Sequence, residues 1–247
     1  MNPTLSAVII TKNEETAIRS CLASLGFCHD IVLLDSGSTD ATLEIAEEFQ
    51  CRIFRSAVWP GFGAQKQLAL SKATGDWIFS IDADEIVPPS LALEIEEAIE
   101  RSPDISGFYV NRRNFFLGQE LRHGGWSPDW TLRLARRENA CFTDSIVHEQ
   151  LEVSGTSSRL KEPLLHYSYT SIEQLLEKQS KYATLSAKIK RGQGAQGGLI
   201  IAIAATLFLF IKLYVCRLGI LDGRYGLIAA LAKCQETFWK YTATKYK

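Results

Sequence analysis

No Cys-x-x-Cys pair occurs in the 247 residues. The six cysteines, at 21, 28, 51, 141, 216 and 234, also lack the tight spacing of a secreted disulfide scaffold. A structural zinc site and a stapled fold are thereby excluded, and the thiols are expected to be reduced core residues. The N-terminal apolar run lacks a basic leader and a small-residue cleavage site, so a first strand is expected there, not a signal peptide. No internal repeat is present. The longest uncharged, mostly apolar stretch, Leu199 to Ile211, has 13 residues, against the roughly 20 that a spanning helix needs.

Net charge is nearly absent too, at -1, but its distribution is uneven. From Lys178 onward there are 12 Lys or Arg against only Asp222 and Glu236, which gives +10; the first 177 residues carry 15 − 26 = -11. The two parts are expected to meet different partners. With 46% hydrophobic and 22% charged residues, the chain has enough apolar material for a sizeable core.

Buried strands are expected at Leu5 to Thr11, Ile31 to Leu34, Cys51 to Phe54 and Asp76 to Ile81. Helices are expected between them. One is carried by Ile18, Cys21, Leu22 and Leu25 at i, i+3, i+4, i+7, a second by Leu43, Ala46 and Phe49, and a third spans Gln65 to Ala73 after the Pro/Gly loop at 59–63. Further on, Pro88 to Ile99 reads as a helix, Gly107 to Arg112 as a strand, and Ile172 to Lys190 as a helix. This alternation predicts an α/β fold with a mostly parallel, Rossmann-like sheet covered on both faces. Ligands of such sheets gather at the carboxyl ends of the strands, where Thr11-Lys-Asn-Glu, Asp35-Ser-Gly-Ser-Thr-Asp40 and Asp82-Ala-Asp84 lie.

Asp82 and Asp84, one residue apart on a bend after a strand, are placed to face a hard divalent cation shared with substrate phosphates; a solvated turn is the alternative. Asp35 suits a ribose or base, or else a turn or helix cap. Thr11, Asn13 and Glu14 are open to the same two readings. Lys66 after the glycine-rich loop and Arg133 are candidate diphosphate contacts, with a solvated surface as the alternative. Asp129, between Trp126 and Trp130, is the candidate general base, because flanking indoles would form a sugar-stacking wall and desolvate the acid. Glu149 and His148 are further candidates near acceptor, metal or diphosphate.

The segments Leu5-Ser-Ala-Val-Ile-Ile-Thr-Lys-Asn-Glu-Glu, Val32-Leu-Leu-Asp-Ser-Gly-Ser-Thr-Asp40 and Trp77-Ile-Phe-Ser-Ile-Asp-Ala-Asp-Glu85 resemble family 2 inverting glycosyltransferases of the GT-A fold. Trp126-Ser-Pro-Asp-Trp-Thr-Leu-Arg-Leu134, Val147-His-Glu149 and Gly219-Ile-Leu-Asp-Gly-Arg224 resemble the lipopolysaccharide core β-glucosyltransferase subgroup. The resemblance implies that Thr11, Asn13, Glu14 and Asp35 contact the nucleoside of a UDP-sugar and that Lys66 approaches its diphosphate. It further implies Mg²⁺ or Mn²⁺ at Asp82 and Asp84 and catalysis by Asp129; His148 as a metal neighbour and Trp126, Trp130 and Glu149 on the acceptor side are readings of the residues themselves. Pro128 stands where the family often has an acid.

The domain division expected is a GT-A domain over 1–170 and a basic, apolar helical extension over 171–247. Basic residues around Leu199 to Ile211 favour a helix lying at the cytoplasmic face of an inner membrane, peripheral or monotopic. A spanning helix and a buried or dimerising helix, the latter pairing two copies, are the alternatives. The donor expected is a UDP-hexose, glucose foremost, and the acceptor is a lipid-linked glycan, with no nucleic-acid partner. Two other classes fit parts of the pattern: a sugar-1-phosphate nucleotidyltransferase, whose glycine-rich loop after the first strand is missing here, and a non-catalytic membrane-bound carbohydrate-binding module.

Overall fold

The computed structural model describes residues 3–143 and 149–246. They divide into two compact units, one drawn from Met1–Arg112 and Asp129–His166, the other from Arg113–Pro128 and Tyr167–Lys247. The division is not the consecutive split at residue 170. The 113–128 stretch belongs with the C-terminal helices because its apolar residues, Phe116 and Leu121, share a core with Leu175, Ala229 and Ala232.

In the first unit, β1 (Leu5–Thr11), β2 (Asp30–Asp35), β3 (Arg52–Arg55) and β4 (Trp77–Ser80) pair in parallel in the order β3-β2-β1-β4. Helices α1 (Ile18–Ala23), α2 (Thr42–Glu48) and α3 (Phe62–Leu70) connect them. The strands read as nearly continuous apolar runs because both faces are covered. Leu5, Ala7 and Ile9 of β1, Leu33 of β2, and Trp77 and Phe79 of β4 pack on one side with Ile18, Cys21, Leu22 and Leu25. Val8, Val32, Leu34 and Ile78 pack on the other with Ala69 and Leu70 of α3. The period of two along each strand thus feeds two cores at once.

Beyond β4 the sheet turns antiparallel. After β5 (Glu85–Ile86) and α4 (Pro89–Arg101), β6 (Gly107–Phe116) pairs with β8 (Trp130–Arg136), and β8 pairs antiparallel with β4, so the sheet is mixed. Outside the second core's β7 (Gln119–Leu121), the remaining strands are β9 (Ala140–Phe142), β10 (Leu151–Val153), β11 (Ser157–Arg159) and β12 (Leu164–Tyr169). The β12 strand lies antiparallel to β5, with His166 opposite Glu85. The expected helix at Gln65 to Ala73 begins three residues earlier, at Phe62, because Gly61 (φ 113°) makes the turn into it.

The second unit is mainly α5 (Ile172–Gly192), α6 (Leu199–Phe210) and α7 (Gly223–Lys245), with a π-helical stretch, Ile211–Cys216, prolonging α6. Ser171 caps α5 by accepting from the Gln174 N–H at 3.1 Å. Asp222 accepts from the backbone N–H groups of Arg122 (3.2 Å) and His123 (2.8 Å), which accounts for the Gly-Ile-Leu-Asp-Gly-Arg segment structurally. A Cβ on Gly226 would lie 2.0 Å from the carbonyl oxygen of Gly219, so both glycines permit this close turn. Of the six thiols, Cys21 and Cys234 are buried, whereas Cys141 and Cys216 are exposed, which corrects the expectation of core placement for those two. Cys216 ends a helix whose outer face is itself apolar, so its hydrophobic setting does not imply burial.

Gly75 precedes β4 where the chain crosses β1: a Cβ there would meet the Ser6 nitrogen at 2.7 Å and its hydroxyl at 2.9 Å. Substituting Gly75→Ala should therefore cost about 1–3 kcal/mol of first-unit stability through overpacking. Urea unfolding followed by the fluorescence of Trp77 would measure the loss.

Candidate functional site

At the ends of β1 and β2, Thr11 and Asp35 are register partners, and both are buried. The Thr11 hydroxyl lies 3.4 Å from Asp35 Oδ1, while Asp35 Oδ2 accepts from the N–H groups of Gly37 (2.9 Å) and Ser38 (3.1 Å). Asn13 adopts a left-handed backbone (φ 56°), and its Oδ1 accepts from the Thr39 N–H at 2.8 Å. The Glu14 N–H donates to the Thr42 hydroxyl at 2.8 Å. Thr11, Asn13, Glu14 and Asp35 are thus brought together, and in this structure they build the two strand-end loops against each other.

The adjacent strand end carries a line of alternating charges. Lys66 on α3 sits 3.0 Å from Glu149 Oε1 and 2.9 Å from Asp82 Oδ1. Asp82 Oδ2 accepts from Arg133 of β8 at 2.7 Å, and Arg133 also pairs with Glu85. Glu85, fully buried, accepts from the Asp82 N–H at 2.9 Å and lies 3.3 Å from Arg112 of β6. Arg112 then grips Asp129 Oδ2 through Nε (2.9 Å) and NH2 (2.8 Å). The Asp129 N–H is fixed by Asn111 Oδ1 at 2.9 Å. Three cations and four carboxylates in line sum to 3 − 4 = -1, so each buried charge has an opposite neighbour.

The same arrangement sets proton affinities. Withdrawal from bulk water pushes the Asp82 carboxyl upward, but the facing Arg133 and Lys66 outweigh it and hold the group well below the usual carboxylate range. Lys66 is shifted the other way, upward, because Asp82 and Glu149 more than offset its desolvation. Arg133 is buried, and its Nε has no hydrogen-bond partner among the described residues.

Asp84 Oδ1 lies 3.6 Å from His166 Nε2, both side chains being largely buried. An imidazole nitrogen and a carboxylate oxygen facing each other suit a divalent cation. Asp82 differs, since both its oxygens are already engaged by cations. His148 lies outside the described residues. Among the described residues, no group of three or more His, Cys, Asp or Glu side chains is arranged as a complete metal cage.

The indole setting expected for Asp129 is replaced by Arg112. Trp130, in the first unit, lies with its ring 4.7 Å from the Arg159 guanidinium carbon. Trp126 belongs to the second unit, where its ring is 5.8 Å from that of Phe116 and its carbonyl accepts from Asn114 at 2.7 Å. Glu149, expected near an acceptor, pairs with Lys66. Sequence reasoning did not single out Glu85, Arg112 or His166. Glu85 directly follows Asp82-Ala-Asp84 and was within reach of the motif. Arg112 and His166 reach the site only through the pairing of β6 with β8 and of β12 with β5.

Residues 6–151 match the family described as "Glycosyl transferase family 2". The chain belongs to this family. The transferase is 32% identical over 256 residues to the lipopolysaccharide core biosynthesis glycosyltransferase LpsC of Rhizobium meliloti (strain 1021), covering 96% of this chain and 93% of that protein. It is 28% identical to the uncharacterized glycosyltransferase RC0292 of Rickettsia conorii (strain ATCC VR-613 / Malish 7), covering 96% of this chain and 88% of that one. A solved glucosyl-3-phosphoglycerate synthase from Mycobacterium tuberculosis, in complex with Mn²⁺, uridine diphosphate and phosphoglyceric acid, is 20% identical with a TM-score of 0.48, over 73% of this chain and 76% of that one. Membership in family 2 makes the protein a glycosyltransferase of the GT-A fold and selects this reading over the nucleotidyltransferase and the non-catalytic module.

Because Asp82 is held ionised by the fold, its stabilising contribution is complete above its unfolded-state value of about 4 and is lost as pH falls through the lower folded value. The variant Asp82→Asn should show a flatter fall of first-unit stability below pH about 4 than the parent chain. Urea titrations at a series of acid pH values would reveal an unchanged slope if the ion pairs contribute nothing.

Proposed function

We propose that the transferase moves a hexose, with glucose the expected sugar, from a UDP-sugar to the inner core of lipopolysaccharide or a similar lipid-linked glycan, with inversion at the anomeric carbon. The observation that carries this reading is the unbroken chain of charge from Glu149 through Lys66, Asp82, Arg133, Glu85 and Arg112 to Asp129. It holds two phosphate-seeking cations at one end and a carboxylate at the other. The similarity to a protein named for lipopolysaccharide core biosynthesis supports the acceptor class.

The loops around Thr11, Asn13, Glu14 and Asp35 would receive the nucleoside, and Lys66 and Arg133 the diphosphate, where their charges stabilise the leaving group. Asp84 and His166 fit a divalent cation, Mg²⁺ or Mn²⁺, which when bound offsets charge on the departing diphosphate. Asp82 then serves chiefly to orient Lys66 and Arg133. Asp129, its Oδ2 fixed by Arg112, takes the proton of an acceptor hydroxyl. The hydroxyl oxygen forms a bond to the anomeric carbon as the bond from that carbon to the diphosphate oxygen breaks, its electron pair leaving with UDP. One displacement gives inversion.

The same reading places the protein at the cytoplasmic face of the inner membrane. The Leu199–Cys216 helix is 18 residues long with mean hydropathy 2.5 and only 6% of it buried. Ile200, Leu207 and Phe208 are among its exposed side chains. So large an exposed apolar face on a basic segment suits a helix lying in the interface of an anionic membrane.

Asp129→Asn is expected to lower kcat by about 10²- to 10⁴-fold while leaving UDP-sugar affinity unchanged. Retained transfer would remove Asp129 from the base role. Calorimetric titration of UDP with and without Mn²⁺ tests the cation site: Asp84→Asn and His166→Gln should each abolish the strengthening of UDP binding by the metal. Undiminished strengthening would show that these two residues do not hold it.

A further inference from the structure

The second unit contains a cavity of about 400 Å³, within the range of small-ligand sites, lined by none of the residues given a role in the proposed transfer. Its walls are apolar where Phe116, Trp126, Leu213 and Ala232 meet. Lys212, Arg217, Lys233 and Glu236 also line it. Glu236 lies 2.9 Å from Lys233 and offsets it, whereas neither Lys212 nor Arg217 has an ion pair among the described residues.

A second observation points to an occupant. Gln179 is 6% exposed and lines the cavity; its Nε2 donates to the Ala232 carbonyl, but its Oε1 has no partner among the described residues. A buried amide oxygen left so costs free energy unless a donor reaches it. The cavity is also continuous with the exposed apolar helix, since Leu209, Lys212 and Leu213 belong both to that helix and to the cavity lining. The occupant must therefore combine an apolar chain, an anionic group and a hydroxyl donor, and be available at a membrane surface.

We infer that this cavity binds one acidic glycerophospholipid, with an acyl chain against Phe116 and Trp126, the phosphate at Lys212 and Arg217, and a headgroup hydroxyl donating to Gln179. The inference rests on the membrane attachment proposed above. It adds a specific lipid to a non-specific apolar contact and would seat the enzyme at a fixed depth in the interface.

Native mass spectrometry of the full chain in detergent, supplied with phosphatidylglycerol or with phosphatidylcholine of the same acyl chains, tests it. One retained phosphatidylglycerol per chain is expected, with at least about ten-fold weaker retention of phosphatidylcholine. Ala232→Leu, which fills the cavity, should lose the adduct yet still sediment with phosphatidylglycerol vesicles. Should that variant not fold, Leu213→Trp fills the cavity from the exposed helix instead. Lys212→Gln with Arg217→Gln should erase the preference between the two lipids. An adduct that survives cavity filling, or equal retention of both lipids, would overturn the assignment. So would displacement of the adduct by deep-rough lipopolysaccharide, which would give the cavity to the acceptor. Failure of the parent chain to sediment with any vesicle would overturn membrane attachment instead, and the adduct in detergent would still decide the cavity.

Discussion

The buried guanidinium of Arg133 lies between Asp82 and Glu85, and the geometry of the candidate site depends on that contact. A charge taken out of water is tolerated only with opposite charges against it. Each partner of Arg133 in turn holds a second cation, Lys66 through Asp82 and Arg112 through Glu85. The result positions cations from α3, β6 and β8 around carboxylates that mostly lie in loops. Removal of one member would leave its neighbour uncompensated, so the site is ordered as a unit.

The charge chain also explains a division of labour between two carboxylates only one residue apart. Asp82 has both oxygens committed to cations, while Asp84 faces His166. Binding a hard cation at Asp82 would require giving up two charged hydrogen bonds. Asp129 is held in a similar way, with Arg112 fixing its Oδ2 in a two-toothed grip; in the reaction proposed above, that would set where it accepts a proton.

The second unit solves a different problem. Its helices α5 and α7 bury small and medium side chains around Phe116 and Leu121, but the helix from Leu199 to Cys216 leaves its large apolar residues outward. In water that face is unfavourable, and the membrane attachment proposed above would give it an apolar surrounding. The concentration of Lys and Arg from residue 178 onward separates the chemistry of the C-terminal helices from that of the acidic first 177 residues.

The parallel strands and the first three helices were legible because their patterns are local: apolar runs for strands buried on both faces, and apolar residues spaced for one helix face, as in Ile18, Cys21 and Leu22 of α1. The strand-end placement of Asp35, Asp82 and Asp84 followed directly, since loops after parallel strands must emerge on one side of the sheet. What remained hidden was set by pairing between distant segments. Antiparallel β8 brings Arg133 to Asp82, β6 brings Arg112 to Asp129, and β12 brings His166 to Asp84. None of these has a local signature, because a partner across a sheet is chosen by register and not by spacing along the chain. For the same reason the indoles around Asp129, adjacent in sequence, fall in separate units. The sequence by itself determined the family, the alternation of the parallel strands with their helices, and the strand-end positions of Asp35, Asp82 and Asp84. Only the tertiary structure decided which cation faces each carboxylate of the charge chain, because opposite charges far apart in the chain find one another when burial leaves them no water to pair with.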